Sequence, residues 1–288
     1  MSKIIQVAND WPSFSGLRKL VIFGDSYSSV GYKGSSLPNA SKPLGVDFPG
    51  VNGAMWNEAG TPNWVGHLIT QYAPEPRYNP HATVQDKAYR ENPLLVYDYA
   101  IGGNTMSGVE FQIQTYFLPK DLKRLGQGSS WDPKSALFVT WVGINDCAYS
   151  HEHGDSVKWL FSLQKKLYSE AGARNFMFID VPPVHRSPAV RAGMEESASR
   201  SNKSWNNMLQ SGALNFAKLH SDATVLLYSS AALFNTVLDD PYSYGFDAAE
   251  IRKGWGKFWH DNLHPTTKVH DILAEDIARF LASVEKKE

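Results

Sequence analysis

The sequence contains only one cysteine, Cys147, among its 288 residues. A single cysteine excludes an internal disulfide framework and weakly favours a reducing compartment. An excess of either charge is also lacking, since 28 Lys and Arg residues stand against 29 Asp and Glu residues. Basic runs never exceed two residues, so the sequence shows no electrostatic footprint for nucleic acid or an anionic membrane. We therefore expect a neutral small molecule, and no nucleic acid, as the binding partner.

Long hydrophobic runs are missing as well. No stretch approaches the roughly 20 apolar residues of a membrane span, and the N-terminal residues MSKIIQVANDWPSF lack the apolar part of a signal peptide. We expect no membrane span, and either a cytoplasmic location or secretion after removal of a leader segment. The phosphate-binding patterns GxGxxG and GxxxxGK(S/T) do not occur, which argues against a nucleotide cofactor.

What the sequence does contain is an alternation of short strand-like runs and amphipathic segments. Runs rich in β-branched and aromatic residues predict buried strands, and the segments between them are long enough for crossover helices. The strand-like runs are 18–23, 94–99, 135–141, 174–180 and 223–228. The helical segments are 62–72, 155–171, 196–219 and 266–285. This pattern predicts one α/β domain over residues 1–288, built on five parallel strands.

Two segments between these elements, 31–61 and 74–93, are too long for ordinary connections and are rich in Gly, Pro and Asn. Ordered loops of this length are usually functional. The first of them follows the stretch LVIFGDSYSS, residues 20–29, in which a buried strand ends in Gly24-Asp25-Ser26. We therefore expect both segments to form a binding cleft beside Ser26.

Ser26 lies where open α/β folds place their chemistry, after the carboxyl end of a strand. A serine hydroxyl needs a base to take its proton and a carboxylate to orient that base. Residues 261–265, DNLHP, place Asp261 and His264 three positions apart just before the last helix. In a turn, this spacing lets the carboxylate reach Nδ1 while Nε2 faces outward. Ser26, His264 and Asp261 are therefore the predicted catalytic residues.

Acyl transfer also needs hydrogen-bond donors for the oxyanion. The segment AIGGNT after the second strand can present the backbone N–H of Gly103, and WVGIND after the third can present the side-chain amide of Asn145. With the N–H of Ser26, these groups form the predicted oxyanion hole.

These blocks occur in a fixed order: serine after strand one, glycine after strand two, G-x-N-D after strand three and D-x-x-H before the last helix. In this order the sequence resembles the SGNH, or GDSL, hydrolase family, whose namesake residues correspond to Ser26, Gly103, Asn145 and His264. The resemblance implies a three-layer α/β/α fold with a five-stranded parallel, flavodoxin-like sheet. It also implies ester hydrolysis without a metal or organic cofactor.

A narrower resemblance lies in residues 42–45 (KPLG), 62–65 (PNWV) and 99–103 (YAIGG). These segments are similar to the fungal branch that contains the carbohydrate esterase family 16 acetylesterases. This resemblance implies removal of short acyl groups, above all O-acetyl, from sugars. Two alternatives remain open: an esterase or acyltransferase that acts on a lipid or a specialised metabolite, and a non-catalytic binding protein with the same fold.

Five further residues lie next to these motifs and are candidate substrate contacts. They are Asp25, Trp64, Trp141, Trp259 and His260. The indole rings are expected to stack on a sugar or acyl chain, and Asp25 also suits the task of holding the turn before the serine. The clusters of histidine and carboxylate residues at 151–153 (HEH) and 260–264 (HDNLH) lack the spacing of a helical zinc motif, so no metal site is predicted.

Overall fold

A six-stranded, mostly parallel sheet forms the centre of the protein. The structure is a computed structural model that describes residues 1–34, 36–126 and 131–287, except for the side chains of residues 125 and 126. The order across the sheet is β1-β6-β5-β4-β2-β3. The strands are β1 Lys3–Gln6, β2 Lys19–Gly24, β3 Leu95–Asp98, β4 Ala136–Trp141, β5 Asn175–Ile179 and β6 Thr224–Tyr228.

The five predicted strands are confirmed as β2 to β6, which run parallel in the flavodoxin-like order. The sixth strand, β1, was not predicted and pairs antiparallel with β6 at the edge of the sheet. Its four residues, KIIQ, are exposed or half-buried and carry no alternation of apolar and polar residues. A short edge strand of this kind is recognisable only from its pairing partner.

Helices flank this sheet and give the predicted α/β architecture. They are α1 Trp64–His67, α2 Lys87–Glu91, α3 Met106–Phe111, α4 Leu122–Gly126, α5 Ile144–Tyr149, α6 Gly154–Glu170, α7 Glu195–Leu219, α8 Ser230–Asp239 and α9 Thr267–Ala282. Wider π-type turns extend α1 over Leu68–Tyr72 and join α3 to α4 over Gln112–Asp121. Helix α1 packs on α9, and α6 packs on α7. Across the described residues, no helix is both long and apolar enough to cross a membrane.

Burial of both faces of the sheet explains why the strand sequences are almost continuously apolar. All residues of β2, β4, β5 and β6 are buried. Gly24 ends β2 beside Trp141, the last residue of β4, and a Cβ on Gly24 would lie 2.2 Å from the Trp141 carbonyl oxygen. Only glycine permits this close approach. It brings the turn after β2 next to the turn after β4, at the topological switch point of the sheet.

Candidate active site

Ser26 lies in a tight turn directly after β2. The Asp25 carbonyl oxygen accepts hydrogen bonds from the backbone N–H groups of Ser28 and Ser29, both at 3.2 Å. The Asp25 side chain accepts a further bond from the N–H of Tyr27 at 3.1 Å. These bonds fix the turn from inside the protein, so the Ser26 hydroxyl is held at the sheet edge although the residue is only 6% exposed.

His264 and Asp261 form a second fixed turn before α9. Asp261 Oδ2 lies 2.7 Å from His264 Nδ1, and Asp261 Oδ1 accepts from the backbone N–H groups of Leu263 and His264, each at 2.7 Å. Partial burial alone would raise the pKa of Asp261, but these hydrogen bonds lower it to about 2. The carboxylate is therefore ionised at neutral pH and holds the imidazole through Nδ1.

The two turns meet at the sheet edge. His264 Nε2 lies 2.9 Å from Ser26 Oγ, which is the distance that a general base would need to take a proton from a serine hydroxyl. The Tyr27 hydroxyl donates to the Leu263 carbonyl at 2.7 Å and so joins the two turns beside Ser26 and His264. The structure thus brings together all three predicted catalytic side chains in one hydrogen-bonded chain.

The predicted oxyanion donors Gly103 and Asn145 lie after β3 and β4, the strands on either side of β2. Gly103 has φ of +79°, and a Cβ placed on it would meet no heavy atom within 4 Å. In the described ranges, no acceptor bonds to the backbone N–H of Gly103 or of Ser26. Both groups are thus available to an oxyanion.

Asn145 begins the turn of α5 and is tied to the Gly103 loop. Its Nδ2 donates to the Asn104 carbonyl at 2.9 Å, which leaves its second amide hydrogen available. Its neighbour Asp146 accepts from the backbone N–H of Met106 at 3.1 Å through Oδ1. These two bonds hold the loops after β3 and β4 together and orient the predicted oxyanion donors.

The Asp25 side chain is not placed to contact a substrate. Asp25 is fully buried, and burial raises the pKa of its carboxyl to about 7, while the bond from Tyr27 opposes the shift and the charge of Asp146 adds to it. Its Oδ2 has no partner among the described residues. Asp25 therefore supports the turn, and its assignment as a substrate contact is corrected.

The three predicted tryptophan contacts need the same correction. Trp64, Trp141 and Trp259 are at most 1% exposed, so their ring faces are covered by the core. Each indole N–H is also bonded inside the protein: to Ser28 Oγ, to the carbonyl of Asp180 and to the carbonyl of Ile251, in that order. A buried aromatic ring with a bonded N–H is a packing residue.

His260 is half-buried, and its backbone N–H donates to the His264 carbonyl at 2.8 Å. This bond supports the turn that carries His264, so what the structure shows for His260 is a backbone contribution to that turn. Among the described residues, no three His, Cys, Asp or Glu side chains are arranged to hold a metal ion.

Cys147 follows the Asn145 turn and is a buried thiol. Sequence reasoning found no base near it, whereas the structure places His153 Nε2 3.8 Å from its sulfur. That imidazole nitrogen also lies 2.9 Å from Ser201 Oγ. Burial raises the pKa of the Cys147 thiol to about 12, so it carries almost no thiolate at neutral pH. Cys147 is therefore unsuited to act as a nucleophile.

Trp56 is the aromatic residue that sequence reasoning missed. It belongs to the long segment 31–61, and its ring centroid lies 4.8 Å from that of His264 with the planes 31° apart. It is 40% exposed, unlike the three core tryptophans. The sequence feature that could have indicated it is the position of this tryptophan in a Gly- and Asn-rich loop. In such a loop a large aromatic residue does not cover the face of a helix or strand, so a binding role is a reasonable interpretation.

A cavity of about 400 Å³ lies beside the Gly103 loop. Its walls come from residues in segments 29–33, 53–56 and 99–102, together with Tyr116. The second long segment, 74–93, contributes none of the described residues that line it. The volume falls in the range of roughly 300–1,000 Å³ that is typical of small-molecule sites.

The mostly parallel sheet, with Ser26 and His264 at its topological switch point, first defines the protein as an open α/β fold. A family model described as GDSL-like lipase/acylhydrolase matches residues 20–277. Because this match covers most of the chain, the protein belongs to the GDSL-like lipase/acylhydrolase family. It is a carboxylic-ester hydrolase by class, as the family resemblance in the sequence implied.

Two relatives and one solved structure extend this comparison. An acetylesterase from Thermothelomyces thermophilus is 28% identical over 284 residues, covering 90% of this chain and 86% of the relative. A phosphatidylcholine-sterol acyltransferase from Aeromonas hydrophila is 27% identical over 341 residues, covering 97% and 93%. An acetylxylan esterase from Geobacillus stearothermophilus superposes with a TM-score of 0.53 at 15% identity, covering 94% of this chain and 96% of that one. This last likeness concerns the fold.

Proposed function

We propose that the protein hydrolyses short-chain O-acyl esters, with O-acetyl groups on a carbohydrate as the preferred substrate, through a Ser-His-Asp acyl-enzyme mechanism. The observation that carries the proposal is the chain from Asp261 through His264 to Ser26, with Nδ1···Oδ2 at 2.7 Å and Nε2···Oγ at 2.9 Å. The acetylesterase relative supports the acetyl group. The segments that are similar to fungal carbohydrate acetylesterases support a sugar as the carrier of that group.

In the first half-reaction, His264 Nε2 takes the proton of Ser26 Oγ while that oxygen bonds to the ester carbonyl carbon. The carbonyl oxygen becomes an oxyanion and accepts hydrogen bonds from the N–H groups of Ser26 and Gly103 and from the Asn145 amide. Asp261, ionised because its pKa is about 2, stabilises the imidazolium. The carbon–oxygen bond to the alcohol then breaks, and His264 gives its proton to the departing alcohol.

In the second half-reaction, a water molecule gives a proton to His264 Nε2 and its oxygen attacks the acyl carbon. The same donors stabilise the second oxyanion. The bond between the acyl carbon and Ser26 Oγ breaks, the serine oxygen recovers the proton from His264, and the carboxylic acid leaves. In each half-reaction, His264 therefore first accepts a proton as a base and then donates it as an acid.

A small acyl group is favoured by the restricted access to the nucleophile. Ser26 and His264 are only 6% and 8% exposed, so an acyl chain must enter a nearly closed site. Trp56, from the loop over 31–61, packs beside His264 and narrows the site further. In this proposal, residues 1–288 work as a single hydrolase domain. Neither a metal nor an organic cofactor takes part in the steps.

The second candidate function is acyl transfer to an alcohol on a lipid or a specialised metabolite. The observation that favours it is the aromatic cavity next to the Gly103 loop, together with the acyltransferase relative. It differs from the first in the acceptor of the acyl group. Release of free acid in water with no gain on addition of a long-chain alcohol supports hydrolysis.

The test is turnover of p-nitrophenyl acetate, butyrate and octanoate by the wild type, Ser26→Ala and His264→Ala. Loss of nucleophile or base is expected to reduce kcat by at least about 10³-fold. Ser169→Ala, an exposed serine on α6, is the matched control and retains wild-type rates. Unchanged turnover in Ser26→Ala defeats the mechanism, and wild-type turnover that rises towards octanoate defeats the short-acyl assignment. Labelling of Ser26 by a fluorophosphonate excludes a purely binding function.

A further inference from the structure

Trp56 stands between the candidate catalytic groups and the cavity. On one side its ring packs 4.8 Å from the His264 ring, centroid to centroid. On the other side its indole covers Gly102, because a Cβ on that glycine would lie 2.3 Å from Trp56 Nε1. The same indole is part of the cavity wall.

The two neighbouring glycines show how closely the indole fits. The space where a side chain at Gly102 would stand is filled by Trp56, whereas the space above Gly103 is open. Gly102 therefore makes room for the indole, and Gly103 leaves room at the proposed oxyanion hole. The indole thus contacts His264, the hydrogen-bond partner of Ser26, and also lines the cavity.

The residues that follow Trp56 anchor it. Asn57 is buried and donates through Nδ2 to the Thr61 carbonyl at 2.9 Å. Glu58 accepts at 2.7 Å from the backbone N–H of Thr267, the first residue of α9. These bonds tie the loop that carries Trp56 to itself and to the helix that follows His264, so the backbone beside the indole is anchored.

The cavity behind this wall is suited to hydrocarbon. Most of its lining is apolar or aromatic and includes Trp56, Ile101 and Tyr116, while Ser29 and Lys33 add polar groups. The hydroxyls of Tyr32 and Tyr99 are already bonded to Asp121 Oδ2 at 2.8 and 2.7 Å. Neither Ser26 nor His264 is among the described residues that line it. Trp56 is the lining residue whose ring contacts His264.

We propose that Trp56 sets the acyl-length limit of the enzyme: its indole closes the passage from Ser26 into the adjoining apolar cavity, so acetyl fits and longer acyl chains do not. The inference rests on the proposed esterase function and adds the residue that determines its specificity. It identifies Trp56 as a specificity residue rather than a catalytic one, since no atom of the proton-transfer chain belongs to it.

The experiment compares kcat/KM for p-nitrophenyl acetate, butyrate and octanoate in the wild type, Trp56→Ala and Trp56→Phe. Removing the indole opens the cavity to the acyl chain, and each methylene that it buries favours the longer ester. We expect the ratio of octanoate to acetate kcat/KM to rise at least about tenfold in Trp56→Ala. Trp56→Phe retains a ring at this position and is expected to give a smaller rise. Tyr242→Ala, which removes a 69% exposed aromatic residue elsewhere, leaves the ratio unchanged.

A double variant distinguishes an opened cavity from a loosened site. Ala54 lines the same cavity, so Ala54→Leu in the Trp56→Ala background fills part of the space that the first change exposed. The octanoate gain should shrink while acetate turnover stays as in Trp56→Ala. If the gain persists undiminished, the cavity is not where the chain lies, and the proposal is overturned.

The remaining outcomes separate this inference from the proposed function. An acetate-preferring wild type whose length ratio is unchanged in Trp56→Ala overturns the role of Trp56 and leaves the esterase proposal standing. Equal losses on all three esters show instead that Trp56 positions His264, which also overturns it. A wild type that prefers octanoate, or one with no Ser26-dependent turnover, defeats the proposed function and this inference together.

Discussion

Two turns of the site carry an aspartate beside a candidate catalytic residue, and the pKa values of the two carboxyl groups are shifted in opposite directions. Asp25 precedes Ser26, is fully buried, and has its pKa raised by burial to about 7. Asp261 precedes His264 by three residues, is half-buried, and has its pKa lowered to about 2 by hydrogen bonds that outweigh burial. How close an aspartate lies in sequence to Ser26 or His264 therefore does not determine whether its carboxyl group is ionised.

The difference lies in the number of donors that face each carboxyl. Asp261 receives the imidazole Nδ1 on one oxygen and two backbone N–H groups on the other. Asp25 receives one backbone N–H, and its second oxygen has no partner within the described ranges. A carboxylate that orients an imidazolium must stay ionised, and only the Asp261 environment ensures this.

The largest expected effect comes from exchanging each carboxyl for an amide. Asp261→Asn removes the charge that stabilises the imidazolium and presents an N–H or a weak acceptor to His264 Nδ1. We expect kcat on p-nitrophenyl acetate to fall about 10²–10⁴-fold with little change in KM. Asp25→Asn preserves the acceptor for the Tyr27 N–H, so its kcat should stay within about threefold of the wild type.

Circular dichroism spectra of both variants verify that each is folded before rates are compared. The comparison between the two turns breaks if Asp25→Asn loses as much activity as Asp261→Asn. A backbone carbonyl that supported His264 in place of the carboxylate would instead leave Asp261→Asn near the wild-type rate.

A third aspartate, Asp146, allows the same comparison next to Asn145, the proposed oxyanion donor. It follows Asn145, and burial raises its pKa although the N–H of Met106 bonds to it. Asn145→Ala removes a donor to the oxyanion and should lower kcat about 10²–10³-fold. Asp146→Asn retains an acceptor for Met106 and should lower kcat less than about tenfold. Single-turnover measurements of acylation give both rates, and the reverse ranking would show that Asp146 acts on the substrate directly.

The sequence predicted the strands and the contact between Asp261 and His264 because both depend on local patterns. Apolar runs marked β2 to β6, and the D-x-x-H spacing in a turn was enough to place Asp261 on His264 Nδ1. Trp64, Trp141 and Trp259 were misassigned because a sequence position next to a motif does not reveal which side of the sheet covers a ring. Trp56 was missed for the converse reason: its contact with His264 joins residues 208 positions apart through a loop without regular structure.

The state of Asp25 likewise needed the structure, since burial and donor count are properties of packing. G-D-S was compatible with a charged or a neutral carboxyl until the turn bonds were visible. The same holds for strand β1, whose register on β6 is fixed by pairing with residues more than two hundred positions away.

The smallest expected effect is on the free energy of unfolding. Its dependence on pH has opposite signs for Asp25 and Asp261. The pKa of Asp25 is raised from 3.8 to about 7 in the folded state, so between these values the folded protein binds more protons than the unfolded one. Stability from this group is therefore lost as pH rises from about 4 to 7, by roughly 2–4 kcal/mol. Asp25→Asn should abolish that loss in urea unfolding at pH 5 and pH 8.

Asp261 is shifted the other way, from 3.8 to about 2, so its contribution is present above about pH 4 and disappears as pH falls towards 2. The Asp261→Asn variant should consequently lose stability relative to the wild type at pH 6, and the difference should narrow on acidification. Asp25→Asn should instead gain on the wild type as pH rises. If both variants differed from the wild type by constant amounts over this range, each carboxyl would have the same pKa in the folded protein as in the unfolded chain. The contrast between the raised pKa of Asp25 and the lowered pKa of Asp261 would then be wrong.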